Sequence, residues 1–302
     1  MYHWLLIAIW APLLWAFANH IDKYLINKFG TGMGIKGLIT FSSLSSFFVL
    51  IFVFIFNSHV LFIDLHHKVL LLISGFLSAL ATLCYLFALN EGEASTVTPV
   101  FQLIPFFAFI LGYFFLGEKL SNSQMLGGLI VVLGAIFISL DFKNLKFNKK
   151  AFYFIALASF LFAVYQILFR AGAVDSFSVS IFWQLMGTFF AGLCFLCIKN
   201  YRQDFLSIFK NKNKKSMISW SLAVEAITLG GNILISKAIT LAPATALVLL
   251  VEAFQPMCVF VLGIIITLFF PFFGKETLNK EIIIQKFIAI IILLLGSYFL
   301  YF

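Results

Sequence analysis

Apolar residues run along this chain in long unbroken stretches, each parted from the next by a short cluster of charged residues, Asn, Gly or Pro. A helix crossing the hydrocarbon core of a bilayer needs about 20 mostly apolar residues. The pattern predicts ten such spans, at 4–24, 36–56, 69–89, 95–116, 123–140, 151–171, 177–198, 217–240, 243–268 and 283–301. The eighth and ninth are almost fused, with Pro243 well placed as the first residue of a new helix. Helices are preferred to a membrane barrel because barrel strands would alternate over about ten residues, whereas these runs are continuously apolar. The longest break, 200–216, contains KNKNKK and reads as a solvated basic loop beside the lipid surface.

Basic residues give the expected orientation. Sixteen of the 20 Lys and Arg fall in the odd-numbered connections, and only Lys68, Lys119, Arg170 and Lys237 fall on the other side. Positive charge marks the cytoplasmic face, so the odd connections are expected in the cytoplasm and both termini outside, in a cytoplasmic membrane. The first basic residue is Lys23, with no basic region ahead of the opening apolar run, so the first span is expected to be retained rather than cleaved.

Composition sharpens this class. The chain has 302 residues, 63% of them hydrophobic and 11% charged, with a mean hydropathy of +1.08. A soluble domain carries roughly 25% charge, so soluble enzymes and disordered tails are excluded. The net charge of +8 is read as a loop signal facing anionic lipid rather than as a nucleic-acid surface. Cys84, Cys194, Cys197 and Cys258 all lie inside apolar runs, where a thiol behaves as a small hydrophobe. Cys194-x-x-Cys197 has no second pair to complete a metal site, and no metal or cofactor is expected.

The chain also repeats itself. Setting residue 15 over 162 aligns Ala16 with Ala163, Asn19 with Gln166 and Lys23 with Arg170; setting 88 over 238 aligns Ala94 with Ala244, Ser95 with Thr245 and Gln102 with Glu252. Two halves of five spans, divided as 1–146 and 147–302, would enter the membrane in opposite senses, because five is odd. The stretch from Pro105 through Gly117-Glu118-Lys119-Leu120-Ser121, followed by Gly127-Gly128 and Gly134, resembles the end of an EamA domain of the drug/metabolite transporter superfamily. That resemblance implies ten helices in two inverted five-helix repeats around a central cavity, and transport of small metabolites. The second half departs from it: Pro256 and Glu276 stand 20 residues apart against 13 for Pro105 and Glu118, so the role of Glu118 is not carried to Glu276.

Charge inside a bilayer costs at least ~2.5–3.5 kcal/mol, which makes intramembrane carboxylates functional candidates. Glu225 lies in the eighth span with Thr228, Asn232 and Ser236 on the same helical face, and Glu252 lies mid-span in the ninth with Thr245 and Gln255. Gln102 is flanked by Pro99 and Pro105, whose missing N–H groups free backbone carbonyls. Trp15, Asn19, Tyr85, Tyr165, Gln166 and Gln184 complete the candidate cavity set. Interfacial anchoring accounts equally for the aromatics, and interhelical hydrogen bonding for the amides. Gly230-Gly231 is either a flexible point or a close helix contact, the latter being the commoner reason.

These readings converge on a secondary transporter for a small polar solute: an amine, a quaternary ammonium or an amino acid, with a proton as candidate coupling ion. A multidrug or toxic-cation exporter of the same fold is the alternative, and a lipid-modifying enzyme or a channel the alternative from another class. No P-loop supports ATP drive, and no DDxxD or HExxH grouping supports an enzyme. The expected partners are the substrate, the proton and the bilayer, with the protein a monomer or homodimer.

Overall fold

The computed structural model describes residues 3–29, 34–91, 98–139, 149–210, 214–269 and 280–301, and every regular element among them is helical. In chain order these are α1 (His3–Ala8), α2 (Trp10–Phe29), α3 (Ile35–Phe56), α4 (Leu65–Glu91), α5 (Leu103–Leu111), α6 (Asn122–Ser139), α7 (Lys149–Gly172), α8 (Phe177–Cys197), α9 (Lys199–Lys210), α10 (Lys214–Leu241), α11 (Thr245–Leu249), α12 (Gln255–Phe269) and α13 (Lys280–Tyr301). Short 3-10 turns precede α5 (Thr98–Gln102) and join α11 to α12 (Leu250–Phe254), and a π-turn (Gly112–Leu116) ends α5.

Seven of the helical stretches are long and apolar enough to cross a membrane, and three shorter apolar helices, Val100–Leu116, Asn122–Phe137 and Ile283–Phe299, accompany them. The chain is a multi-pass membrane protein. Its outer surface agrees with a lipid solvent: Phe48, Ile55 and Phe56 of α3 are each more than 60% exposed, a loss of burial that water would penalise and hydrocarbon does not. The division at residue 146 and Glu276 lie outside the described residues, as do the side chains from Asp22 through Phe29.

Because lipid offers apolar helices no hydrophobic reason to associate, close backbone approach must hold them together. Glycines supply it. A Cβ on Gly75 would collide with the Gln184 carbonyl oxygen, and one on Gly187 with that of Leu72, so α4 and α8 touch backbone to backbone. Between α6 and α13, a Cβ on Gly296 would lie 2.8 Å from the Val131 nitrogen. Packing is otherwise richest between α4 and α7, α3 and α8, α2 and α10, α5 and α7, α3 and α9, and α2 and α12.

Two sequence expectations fail here. The helix after α10 begins at Thr245 with Ala244 as its N-cap, so Pro243 stands ahead of the helix and is not its first residue. Residues 199–210 are helical, not loop. Tyr201, Phe205 and Ile208 recur at helical spacing; Ile208 is buried, Tyr201 stacks on Phe195 at 5.3 Å, and a Cβ on Gly37 of α3 would stand only 2.9 Å from the Asp204 backbone. Charge between these positions lowers the average hydropathy, which hid an amphipathic helix docked on α3.

Candidate functional site

The segment that follows α10 is sealed on every side. Thr245 through Val251, and Ala253, are all buried, so the helix formed there has no face turned to lipid. Glu252 alone in this run keeps partial exposure. The residues that precede it are covered, and its partial exposure continues into Phe254, Gln255 and Pro256, which are half-buried. Pro256 explains the local geometry. It lacks the N–H that would bond the Glu252 carbonyl four residues back, so the Gln255 N–H takes that carbonyl and the chain tightens into a 3-10 turn at Glu252. Gln102 also sits in a 3-10 turn, at the 150-residue offset read from the sequence, and Pro105 follows it by three residues.

Opposite Glu252 stands α7, where the Tyr165 hydroxyl lies within electrostatic reach of the carboxylate. Gln166 Nε2 donates to that hydroxyl oxygen at 2.9 Å, while the buried Gln166 Oε1 has no protein partner. Four rings continue from this point: Tyr165 to Phe162 at 5.7 Å, Phe162 to Phe101 at 5.5 Å, and Phe101 to Tyr85 at 4.8 Å. The result is a chain of rings that starts at Tyr165, the residue that interacts with the Glu252 carboxylate, with Gln166 bonded to the Tyr165 hydroxyl and Gln102 on the same 3-10 turn as Phe101.

Other sequence candidates lie elsewhere. Gln184 ties helices together, donating to Ser74 Oγ at 3.3 Å and accepting from Ser236 Oγ at 3.5 Å, while Ser74 Oγ donates to the Tyr165 carbonyl at 2.8 Å. Glu225 accepts from Ser42 Oγ of α3 at 2.9 Å. Trp15 donates to the Thr228 carbonyl at 3.3 Å and lies against Gly231, where a Cβ would meet the indole nitrogen at 2.5 Å, so Gly231 is a close-contact glycine. Asn19 and Asn232 are exposed, and Gln255 is half-buried at the start of α12. Thr245, expected to share a face with Glu252, is instead wholly buried and committed to another group.

That group is the one sequence reasoning missed. Glu118, just beyond the π-turn, pairs with Arg170 Nε at 3.0 Å and accepts from Thr245 N–H and Thr245 Oγ1, both at 2.8 Å. Arg170 also donates to the Ile239 carbonyl at 2.7 Å. Two glycines allow this. Gly117 turns the chain at φ 66°, and Gly112 lacks the Cβ that would stand 2.5 Å from Glu118 Oε2, so the carboxylate folds back against its own helix. The Gly112/Gly117 pair preceding Glu118 was visible in the sequence; its distant partners were not.

Residues 3–140 match the EamA-like transporter family. An uncharacterized transporter of Clostridium kluyveri is 29% identical over 150 residues, which is 48% of this chain and 44% of that protein, so the match spans less than half the length of this relative. A protein solved by crystallography superposes with a TM-score of 0.68 over 98% of this chain and 94% of its own, at 17% identity, which shows a shared fold.

Proposed function

We propose, from a chain whose residues 3–140 match the EamA-like transporter family, that the whole protein is a secondary transporter moving a small organic solute bearing an amine, quaternary ammonium or amino-acid group. The solute binds against Glu252, with Tyr165, Phe162, Phe101 and Tyr85 supplying ring faces and Gln102 and Gln166 supplying amides. The observation that carries this reading is the partly exposed Glu252 within an otherwise sealed segment. A carboxylate beside aromatic faces suits a cation through charge pairing and cation–π contact, worth about 2 kcal/mol when desolvated. Trp15, Asn19, Glu225, Asn232 and Gln255 are read as the lining of the route to it, and a proton carried on a buried Glu as the coupling ion.

Two inverted five-helix halves, 1–146 and 147–302, rocking about this point would give alternating access. The packing pattern supports such a duplication. Exchanging α2, α3, α4, α5 and α6 for α7, α8, α10, α12 and α13 turns the α4–α7 contact into α10–α2 and α5–α7 into α12–α2, both of which exist. The α3–α8 and α6–α13 contacts map onto themselves. The paired 3-10 turns at Gln102 and Glu252 follow the same exchange.

A thermal-shift screen of the purified protein across amines, quaternary ammonium compounds, amino acids and drugs tests the reading. One solute class should stabilise the protein and be counterflowed by proteoliposomes, and Glu252→Gln should remove the shift. A Glu252→Gln protein that binds and transports like the parent overturns this assignment. Preference for bulky lipophilic cations over metabolites would favour the multidrug reading of the same site.

A further inference from the structure

We infer that Glu118, Arg170 and Thr245 form a latch that closes the space around Glu252 at one membrane face and must open in every transport cycle; this rests on the reading of Glu252 as the binding position. The elements that carry the latch also carry the site. Thr245 precedes Glu252 by seven residues on one continuous segment, and Arg170 follows Tyr165 by five on α7. At 1.5 Å per residue the latch therefore lies roughly 10 Å and 7 Å beyond the two site residues, toward the same end of the bundle. Glu118 arrives from the other half of the chain and is 7% exposed.

The choice of a charged cluster at this point has a physical reason. A buried ion pair adds little stability over well-packed apolar side chains, so Glu118 and Arg170 are not explained by stability alone. They differ from an apolar seal in what opening costs. When an apolar seal parts, hydrocarbon surface meets water; when this cluster parts, the carboxylate, the guanidinium and the Thr245 hydroxyl and N–H recover hydration. The cluster can thus exist formed or hydrated, two discrete arrangements of the kind a gate requires. The Gly117 turn and the π-turn at Gly112–Leu116 let the Glu118 carboxylate leave without unwinding the rest of α5. The bonds of Glu118 to Arg170 and Thr245 join the two halves of the chain, and contacts between the halves are the ones that alternating access exchanges.

The test replaces the native cysteines by Ser and introduces Glu252→Cys, which turns a thiol toward the internal space whether or not substrate binds. Full-length protein in liposomes is then treated with a membrane-impermeant cationic thiol reagent from each side. Adding Glu118→Ala should speed labelling from the latch side roughly tenfold or more, and Glu118→Gln, which keeps an acceptor for Thr245 but loses the charge, should give an intermediate rate. A control carrying Ala191→Cys in place of Glu252→Cys, at a fully buried position among α3, α4 and α8, should stay unlabelled in the same variants and so report an intact fold. Equal labelling with and without Glu118 overturns the latch alone. If no reagent reaches the thiol introduced by Glu252→Cys from either side in any variant, the binding position is overturned, and the latch with it.

Discussion

Adding a single methyl group at Gly187 should part α4 from α8. The new Cβ would lie 2.8 Å from the Leu72 carbonyl carbon and 3.0 Å from its Cα, with the carbonyl oxygen closer still. All three are backbone atoms of a helix, so no side-chain rotation relieves the clash. Reaching an ordinary 3.4 Å separation from the carbon alone requires a retreat of roughly 0.6 Å. Hydrogen bonds across the same contact are already long: Gln184 Nε2 to Ser74 Oγ at 3.3 Å and Thr188 Oγ1 to the Gly75 carbonyl at 3.1 Å. Lengthened by the same retreat, both pass beyond hydrogen-bonding distance. Overpacking costs about 1–3 kcal/mol, and each interhelical bond lost adds about 0.6 kcal/mol in a membrane protein. The Gly187→Ala protein should therefore unfold roughly 5 °C or more below the parent in a detergent melt. Gly230→Ala is the matched control, because a Cβ there meets only Leu14 Cδ1 at 3.6 Å. Equal melting temperatures for the two variants would refute the claim that glycine-mediated backbone contact holds this bundle.

Three further outcomes are expected. Gly231→Ala should push the Trp15 indole off its seat and break its bond to the Thr228 carbonyl, read as a change in tryptophan emission relative to Gly230→Ala. Pro256→Ala restores an N–H that can reclaim the Glu252 carbonyl, so the 3-10 turn should relax toward α-helix; transport should fall while the melting temperature holds or rises. Thr245→Val removes one hydrogen bond to the Glu118 carboxylate at nearly constant volume, and should lower stability by about 1.5–3 kcal/mol, the range for bonds to a charged group, in denaturant titrations.

Much of the molecule was determined by its sequence. The apolar stretches marked an all-helical membrane protein, because a bilayer accepts only segments whose backbone bonds close internally, and seven helical stretches are long and apolar enough to cross one, with three shorter apolar helices beside them. The sequence also paired Gln102 with Glu252 at an offset of 150 residues, and both sit in tightened turns near prolines. Hydropathy failed at 199–210, where the apolar positions are spaced for one face and averaging erases the phase.

What the tertiary structure alone decided is how the polar side chains divide. On a helical wheel Glu225, Thr228, Asn232 and Ser236 form one stripe, yet Ser236 meets Gln184, Glu225 meets Ser42 and Asn232 is exposed, because the stripe runs past different neighbours along its length. Gln184 looked as suitable for a cavity as Gln166; only packing separates an amide spent on Ser74 from one with an unpartnered oxygen. Glu118, Arg170 and Thr245 are scattered over 127 positions and meet through a fold-back that two glycines permit. Sequence periodicity reports which face a residue shares with its own helix. Which helix lies across from it is set by long-range packing, and in this protein that separates the surroundings of Glu252 from those of Glu225, which accepts from Ser42 of α3.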